Sequence, residues 1–210
     1  MLVPARTSSL RFSRTEIEHL ILGTVLVTAA GVSFLRISLL TGTGSSVLGL
    51  AVATIIFAMG FILHELSHKY VAQRHGLWAE FRVNTMGVLL TAISIVSPFK
   101  FIAPGAVVIS GFADRDRMGL TALAGPLVNV IITIALLATL PAISAASIFY
   151  VPLVAGAAIN AFLALFNLIP FSIFDGKKIY AWNRTFWAVM FAVSLVLTVY
   201  TYVLEASSGL

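Results

Sequence analysis

His64-Glu65-Leu66-Ser67-His68 places two imidazoles four residues apart with a carboxylate between them, at the end of the apolar run 47–63. On a helix, positions four apart share a face, with β-carbons roughly 5–6 Å apart. Two imidazoles so placed can ligate one zinc ion, and Glu65 can act on a metal-activated water. With 4 His and 8 Asp+Glu in 210 residues, chance supplies only about 0.003 matches to this zinc-helix pattern. A bland reading treats the segment as a solvated helix end, but His64 follows Phe61-Ile62-Leu63 and belongs below the surface. His19, beside Glu16 and Glu18, and His75, beside Arg74 and Gly76, read as headgroup-level residues without function.

A zinc site needs a third protein ligand and an open fourth position. The acidic candidates are Glu16, Glu18, Glu80, Asp114, Asp116, Asp175 and Glu205: Glu16 and Glu18 precede the first apolar run, Glu205 falls at the opposite membrane face, and Asp114 and Asp116 alternate with Arg115 and Arg117 as in a solvated loop. Asp175 differs. It ends the uncharged stretch 118–174, in the segment Asn167-Leu168-Ile169-Pro170-Phe171-Ser172-Ile173-Phe174-Asp175-Gly176. Pro170 breaks a helix there, and Gly176 permits a sharp turn that brings the carboxylate inward. The alternative is a helix-terminal aspartate paired with Lys177 or Lys178.

The elements that must position these residues are set by composition. Hydrophobic residues make up 60% and charged residues 10%, against roughly 45–50% and about 25% in soluble domains. Mean hydropathy is +1.04. This balance excludes a soluble globule and also excludes disorder. The basic excess, +5, lies between apolar runs, so its partner is the anionic lipid of a bilayer and not nucleic acid. The absence of cysteine excludes disulfides, thiolate ligands and a cysteine nucleophile.

A bilayer-crossing helix takes about 20 apolar residues. Five such spans are expected, at about 18–40, 47–72, 120–140, 151–170 and 185–204, within one integral-membrane domain covering residues 1–210. Pro141 and Pro152 bracket the break between the third and fourth. The first run follows Arg6, Arg11 and Arg14 and is too long for a signal peptide, so it reads as an uncleaved anchor. Residues 80–112 carry Gly87, Pro98, Lys100, Pro104, Gly105 and the run Ala106-Val107-Val108-Ile109, which suit strands and turns better than a helix. The expected fold is an all-α multi-span membrane protein with a small re-entrant β element between the second and third spans. With the N-terminus cytoplasmic and the C-terminus outside, eleven of the thirteen Lys and Arg fall inside. His64, His68 and Asp175 then share one face.

An H-E-x-x-H on one membrane helix followed by N-x-x-P-x-x-x-x-D-G on a later one resembles the site-2 protease family of intramembrane zinc metalloproteases. His64, Glu65 and His68 match the first motif; Asn167, Pro170, Asp175 and Gly176 match every fixed position of the second. Ala124-Gly125-Pro126-Leu127-Val128-Asn129 looks like the family's intervening helix, and the resemblance covers about residues 47–184. The family's inserted PDZ-like domain is absent. The resemblance implies one zinc ion per chain held by His64, His68 and Asp175, with Glu65 as general base and acid in peptide hydrolysis. It also implies a site near the cytosolic face, and protein substrates whose transmembrane helices unfold locally before cleavage. An edge strand from residues 80–110 could hold such an extended chain.

Asn129 and Asn167 are polar groups in apolar helices. Each is a candidate for binding the substrate backbone or polarising the scissile carbonyl, against the plainer role of interhelical glue. A non-proteolytic metal-binding protein or transporter is the competing reading. A transporter would stagger its ionisable residues across the membrane, whereas these cluster at one face.

Overall fold

Apolar runs without water-facing side chains must satisfy their own backbone, and helices do so within a single segment. The structure, a computed structural model, describes residues 10–40, 47–97, 102–171 and 173–207. It is mostly helical: α1 (Arg14–Leu40), α2 (Val47–Arg74), β1 (Trp78–Val83), α3 (Thr85–Val96), β2 (Gly105–Ser110), α4 (Arg115–Thr139), α5 (Tyr150–Asn167), α6 (Asp175–Trp182) and α7 (Arg184–Ser207). Among the described residues, α1, α2, α4, α5 and α7 are long and apolar enough to cross a membrane. A 3-10 turn at Leu140–Ala142, with Pro141 in it, separates α4 from α5, and Pro152 sits in the first turn of α5. There its missing N–H costs nothing.

One expectation is corrected. Residues 80–112 are not strands and turns alone, because the twelve-residue helix α3 stands between the two strands. Asn84 caps it by accepting from the Gly87 amide at 2.6 Å, which satisfies one of the first-turn donors that a helix leaves unpaired. Gly87 punctuates no turn. It is a close-approach residue, since a β-carbon there would overlap the Ala103 carbonyl. Pro98 and Lys100 lie outside the described residues. The β-branched run 106–109 is strand, as its composition predicts.

β1 and β2 pair antiparallel, from Trp78 opposite Ser110 to Val83 opposite Gly105. The chain therefore leaves β1 and comes back beside it. The ladder has a readable parity. The Asn84 amide donates to the Pro104 carbonyl at 3.1 Å, one step beyond the sheet, so the pairs of even-numbered β1 residues exchange hydrogen bonds and the odd pairs do not. Phe81 and Ala79 agree with this, for both bond outward: the Phe81 amide donates to Glu16 Oε1 at 3.0 Å, and the Ala79 carbonyl accepts from Gln73 Nε2 at 3.3 Å. On β2, the polar groups that point away from β1 are therefore those of Gly105, Val107 and Ile109.

Phe81 joins the sheet to α2. It packs in a buried cluster with Val27, Phe57 and Phe61, and its ring meets Phe61 edge-on at 5.8 Å, one turn before His64. Helix α4 runs through the middle of the helical layer and packs on α2, α5 and α6.

Candidate metal centre

The H-E-x-x-H helix, α2, is buried where the motif lies. His64, Glu65 and His68 are each less than a tenth exposed, which removes the reading of a solvated helix end. The i, i+4 spacing sets the two imidazoles side by side, with ring centroids 4.8 Å apart. Their Nε2 atoms are 3.1 Å apart. Asp175, the first residue of α6, supplies a third atom: Oδ2 lies 3.4 Å from His64 Nε2 and 3.0 Å from His68 Nε2. Zinc bonds of roughly 2.0–2.2 Å in a tetrahedron separate neighbouring donors by roughly 3.3–3.6 Å. The three edges are close to that figure.

Protons decide what this triangle is. His68 Nδ1 faces the Thr121 carbonyl at 2.7 Å. A carbonyl only accepts, so this nitrogen carries the hydrogen. His64 Nδ1 faces Asn129 Oδ1 at 2.5 Å. Asn129 Nδ2 spends its two hydrogens on the Gly60 carbonyl and on Asn160 Oδ1, at 3.2 and 2.9 Å, and Asn160 Nδ2 in turn donates to the Gly156 carbonyl at 2.8 Å. The orientation of Asn129 is thus settled by its neighbours, and His64 donates from Nδ1. In both neutral rings the free lone pair is on Nε2. Two lone pairs and a carboxylate oxygen then point at one another with no hydrogen between them. Such a group is completed by a cation at its centre, a metal ion or a proton between a ring and the carboxylate.

The surroundings leave room for one. A β-carbon on Gly125 of α4 would overlap both Nε2 atoms, so only glycine lets α4 pass this close. Pro126 removes one rung of α4 in the turn next to Thr121, whose carbonyl holds His68. Glu65 lies on the same helix face and lines a cavity of about 170 Å³ together with both histidines, Asp175 and Asn167. Its Oε2 is buried and has no hydrogen-bond partner among the described residues.

Asp175 reconciles both readings of it. Oδ2 turns to the histidines while Oδ1 faces Lys178 Nζ at 3.6 Å. Gly176 does not make the sharp turn expected of it. Positive-φ glycines occur at Gly76 and Gly111, whereas Gly176 is helical and needed for contact, since a β-carbon there would overlap the Leu168 and Ile169 carbonyls. Asn167 lines the cavity and donates from Nδ2 to the Leu163 carbonyl at 2.9 Å. Asn129 lies behind His64, between α2, α4 and α5. Asn160 escaped the sequence reading, although an asparagine in an apolar helix is the same signal that singled out the other two. Nothing in the sequence singles out Gly125 except the segment it occupies.

Among the described residues, this is the one group of three His, Cys, Asp or Glu side chains able to hold a metal ion. The chain is 37% identical over 185 residues to a protein of Methanocaldococcus jannaschii named "Putative zinc metalloprotease MJ0611", covering 87% of this chain and 92% of that protein. The chain belongs to the same family. No family model matches it, and no solved structure matches it. Within this family, the chain presents a buried His/His/Asp group of the donor types and spacing that one metal ion requires.

Proposed function

We propose that the chain is a zinc-dependent intramembrane protease of the site-2 type, cutting transmembrane-helix substrates near the cytosolic face of the bilayer. One observation carries the reading: three acceptor atoms converge at zinc-ligand spacing beside the unpartnered carboxylate oxygen of Glu65. Family membership supports the chemistry. Five long apolar helices support the membrane setting, and so do outward-facing apolar side chains such as Ile55, Val196 and Val203, which suit lipid and not water.

In this reading His64, His68 and Asp175 hold the ion. Zinc, when bound, supplies Lewis-acid chemistry, polarising a carbonyl and acidifying water. Glu65 takes the proton released as water attacks the scissile carbonyl, then delivers it to the amide nitrogen as the C–N bond breaks. One water is consumed, and a carboxylic acid and an amine leave. Asn129 fixes the tautomer and angle of His64. Asn167, on the cavity wall, is assigned to the substrate backbone. The substrate itself docks as an extended strand on the cavity-facing edge of β2, where Gly105, Val107 and Ile109 line the same cavity and the Val107 amide lies against the Glu65 carboxylate. A helix must unwind to do this, because its own carbonyls are already hydrogen-bonded.

Glu65→Gln tests the mechanism. Glutamine keeps the shape but cannot take up a proton, so zinc content should stay near one per chain while cleavage of a model single-span substrate falls at least about a hundredfold. Parent-like cleavage by this variant would refute the assignment. A parent that loads zinc yet cuts nothing would put a non-proteolytic metal-binding protein or transporter in its place.

The N-terminus is assigned to the cytoplasm and the C-terminus to the outside, which keeps most Lys and Arg inside. A cysteine replacing Asp114 in this cysteine-free chain should label from the cytosolic side, and one replacing Ser207 from outside. External labelling at Asp114 would overturn that orientation.

A further inference from the structure

Glu16, at the start of α1, and Lys69, the residue after His68, are both fully buried and form an ion pair. Neither takes part in the chemistry above. Ser13 caps α1, its Oγ accepting from the Glu16 amide at 3.1 Å. In a capping box the acidic side chain would return to the Ser13 amide. Here it leaves the helix instead and reaches two other elements: Lys69 on α2, and the Phe81 amide on β1.

The place of that second contact matters. Phe81 stands directly opposite Val107 in the sheet. By the parity of the ladder its amide is one of the outward groups of β1, as Val107 presents outward groups on β2. The outer edge of β1 is closed by side chains: Glu16 takes the Phe81 amide, Gln73 donates to the Ala79 carbonyl, and Arg82 donates to the Phe81 carbonyl. The corresponding edge of β2 faces the cavity beside Glu65. A run of contacts therefore leads from Lys69, through Glu16 and Phe81, to Val107.

We infer that Glu16, held by Lys69, is a positioning residue that sets the substrate-binding edge of β2 against the catalytic helix, and that it closes β1 to an incoming chain. A buried ion pair must also satisfy the carboxylate oxygen that its partner leaves free, and any donor could do so. Here that donor is an amide of β1, so the pair is tied to the sheet. The functional half of the inference rests on the strand-docking reading above; the mechanical half does not.

The test must separate the bond to Phe81 from the penalty of an unpaired buried lysine. Glu16→Gln with Lys69→Met removes both charges and keeps an acceptor for the Phe81 amide. Glu16→Ala with Lys69→Met removes both charges and the acceptor. Both double variants should retain zinc. In purified full-length protein, amide hydrogen exchange in residues 78–83 and 105–110 should be about tenfold faster in the alanine variant than in the glutamine variant, with α4 unchanged, the scale of one buried donor left unpaired. For a model substrate, the alanine variant should raise KM by about tenfold with kcat within about threefold, and the glutamine variant should behave like the parent. Equal sheet exchange in the two variants overturns the inference. Faster exchange with unchanged KM overturns its substrate half. If the parent cuts nothing, the protease reading fails, and the exchange comparison still decides whether Glu16 holds the sheet.

Discussion

Two buried polar clusters sit on consecutive residues of α2, and they are opposites. His68 belongs to a group of three acceptors that face one another with no protein cation between them, the nearest, Lys178, lying outside the triangle at Asp175 Oδ1. Lys69, about 100° further round the helix, belongs to a pair in which every charge is answered, with Glu16 also satisfying a strand amide. Burial is nearly the same for both, so burial alone does not mark the functional site. What separates them is completeness. A cluster that the chain finishes by itself serves the fold, and one that needs something from outside serves chemistry.

The largest effects should come from breaking each cluster at one residue. Asp175→Ala removes the oxygen that both histidines face, so the protein should lose bound zinc and cleavage should fall to background. Its zinc-free form should melt close to the zinc-free parent, because the ion pair it loses is with the half-exposed Lys178. Glu16→Ala does the reverse. It strands Lys69 in the interior, where an uncompensated charge costs about 3–5 kcal/mol, so the melting temperature should drop steeply. Full zinc retention in Asp175→Ala, or a larger stability loss there than in Glu16→Ala, would erase the distinction between the clusters.

The same contrast explains what the sequence makes legible. The acceptors at His64, His68 and Asp175 stand out because ionisable residues are rare in long apolar runs, and the five long helices follow from those runs. Glu16 does not stand out. It lies among Arg14, Glu18 and His19, in what reads as a charged lead-in to a span, and only the approach of β1 shows that its neighbourhood is dry. Helix α3 was obscured by the glycine and prolines around it. Gly87 reads as a breaker, yet its role is to let the Ala103 carbonyl come close. Gly125 and Gly176 are alike in this: tertiary contact requires them, and local sequence carries no sign of which glycines another element will touch. Asn160 was legible in principle, but its importance depends on Asn129, and that partnership joins helices 31 positions apart.

A smaller effect sharpens the comparison, because it asks whether the incomplete cluster is held in place by a complete one. Asn129 is the link. Its Oδ1 accepts from His64, and its Nδ2 hydrogens go to the Gly60 carbonyl and to Asn160, so it anchors one ligand to α2, α4 and α5 together. Removing a partner of this kind from a metal-binding histidine costs about 10–100-fold in metal affinity. Asn129→Ala should weaken zinc binding on that scale, and added zinc should restore most of the cleavage rate, since neither a ligand nor Glu65 has been touched. Asn129→Asp keeps an acceptor at His64 Nδ1 but gives up the donors to Gly60 and Asn160. It should therefore hold zinc better than the alanine variant while melting lower than the parent. Should the alanine variant bind zinc as tightly as the parent, Asn129 would be glue between helices and no more, and the tautomer of His64 would have to be set by the ion itself.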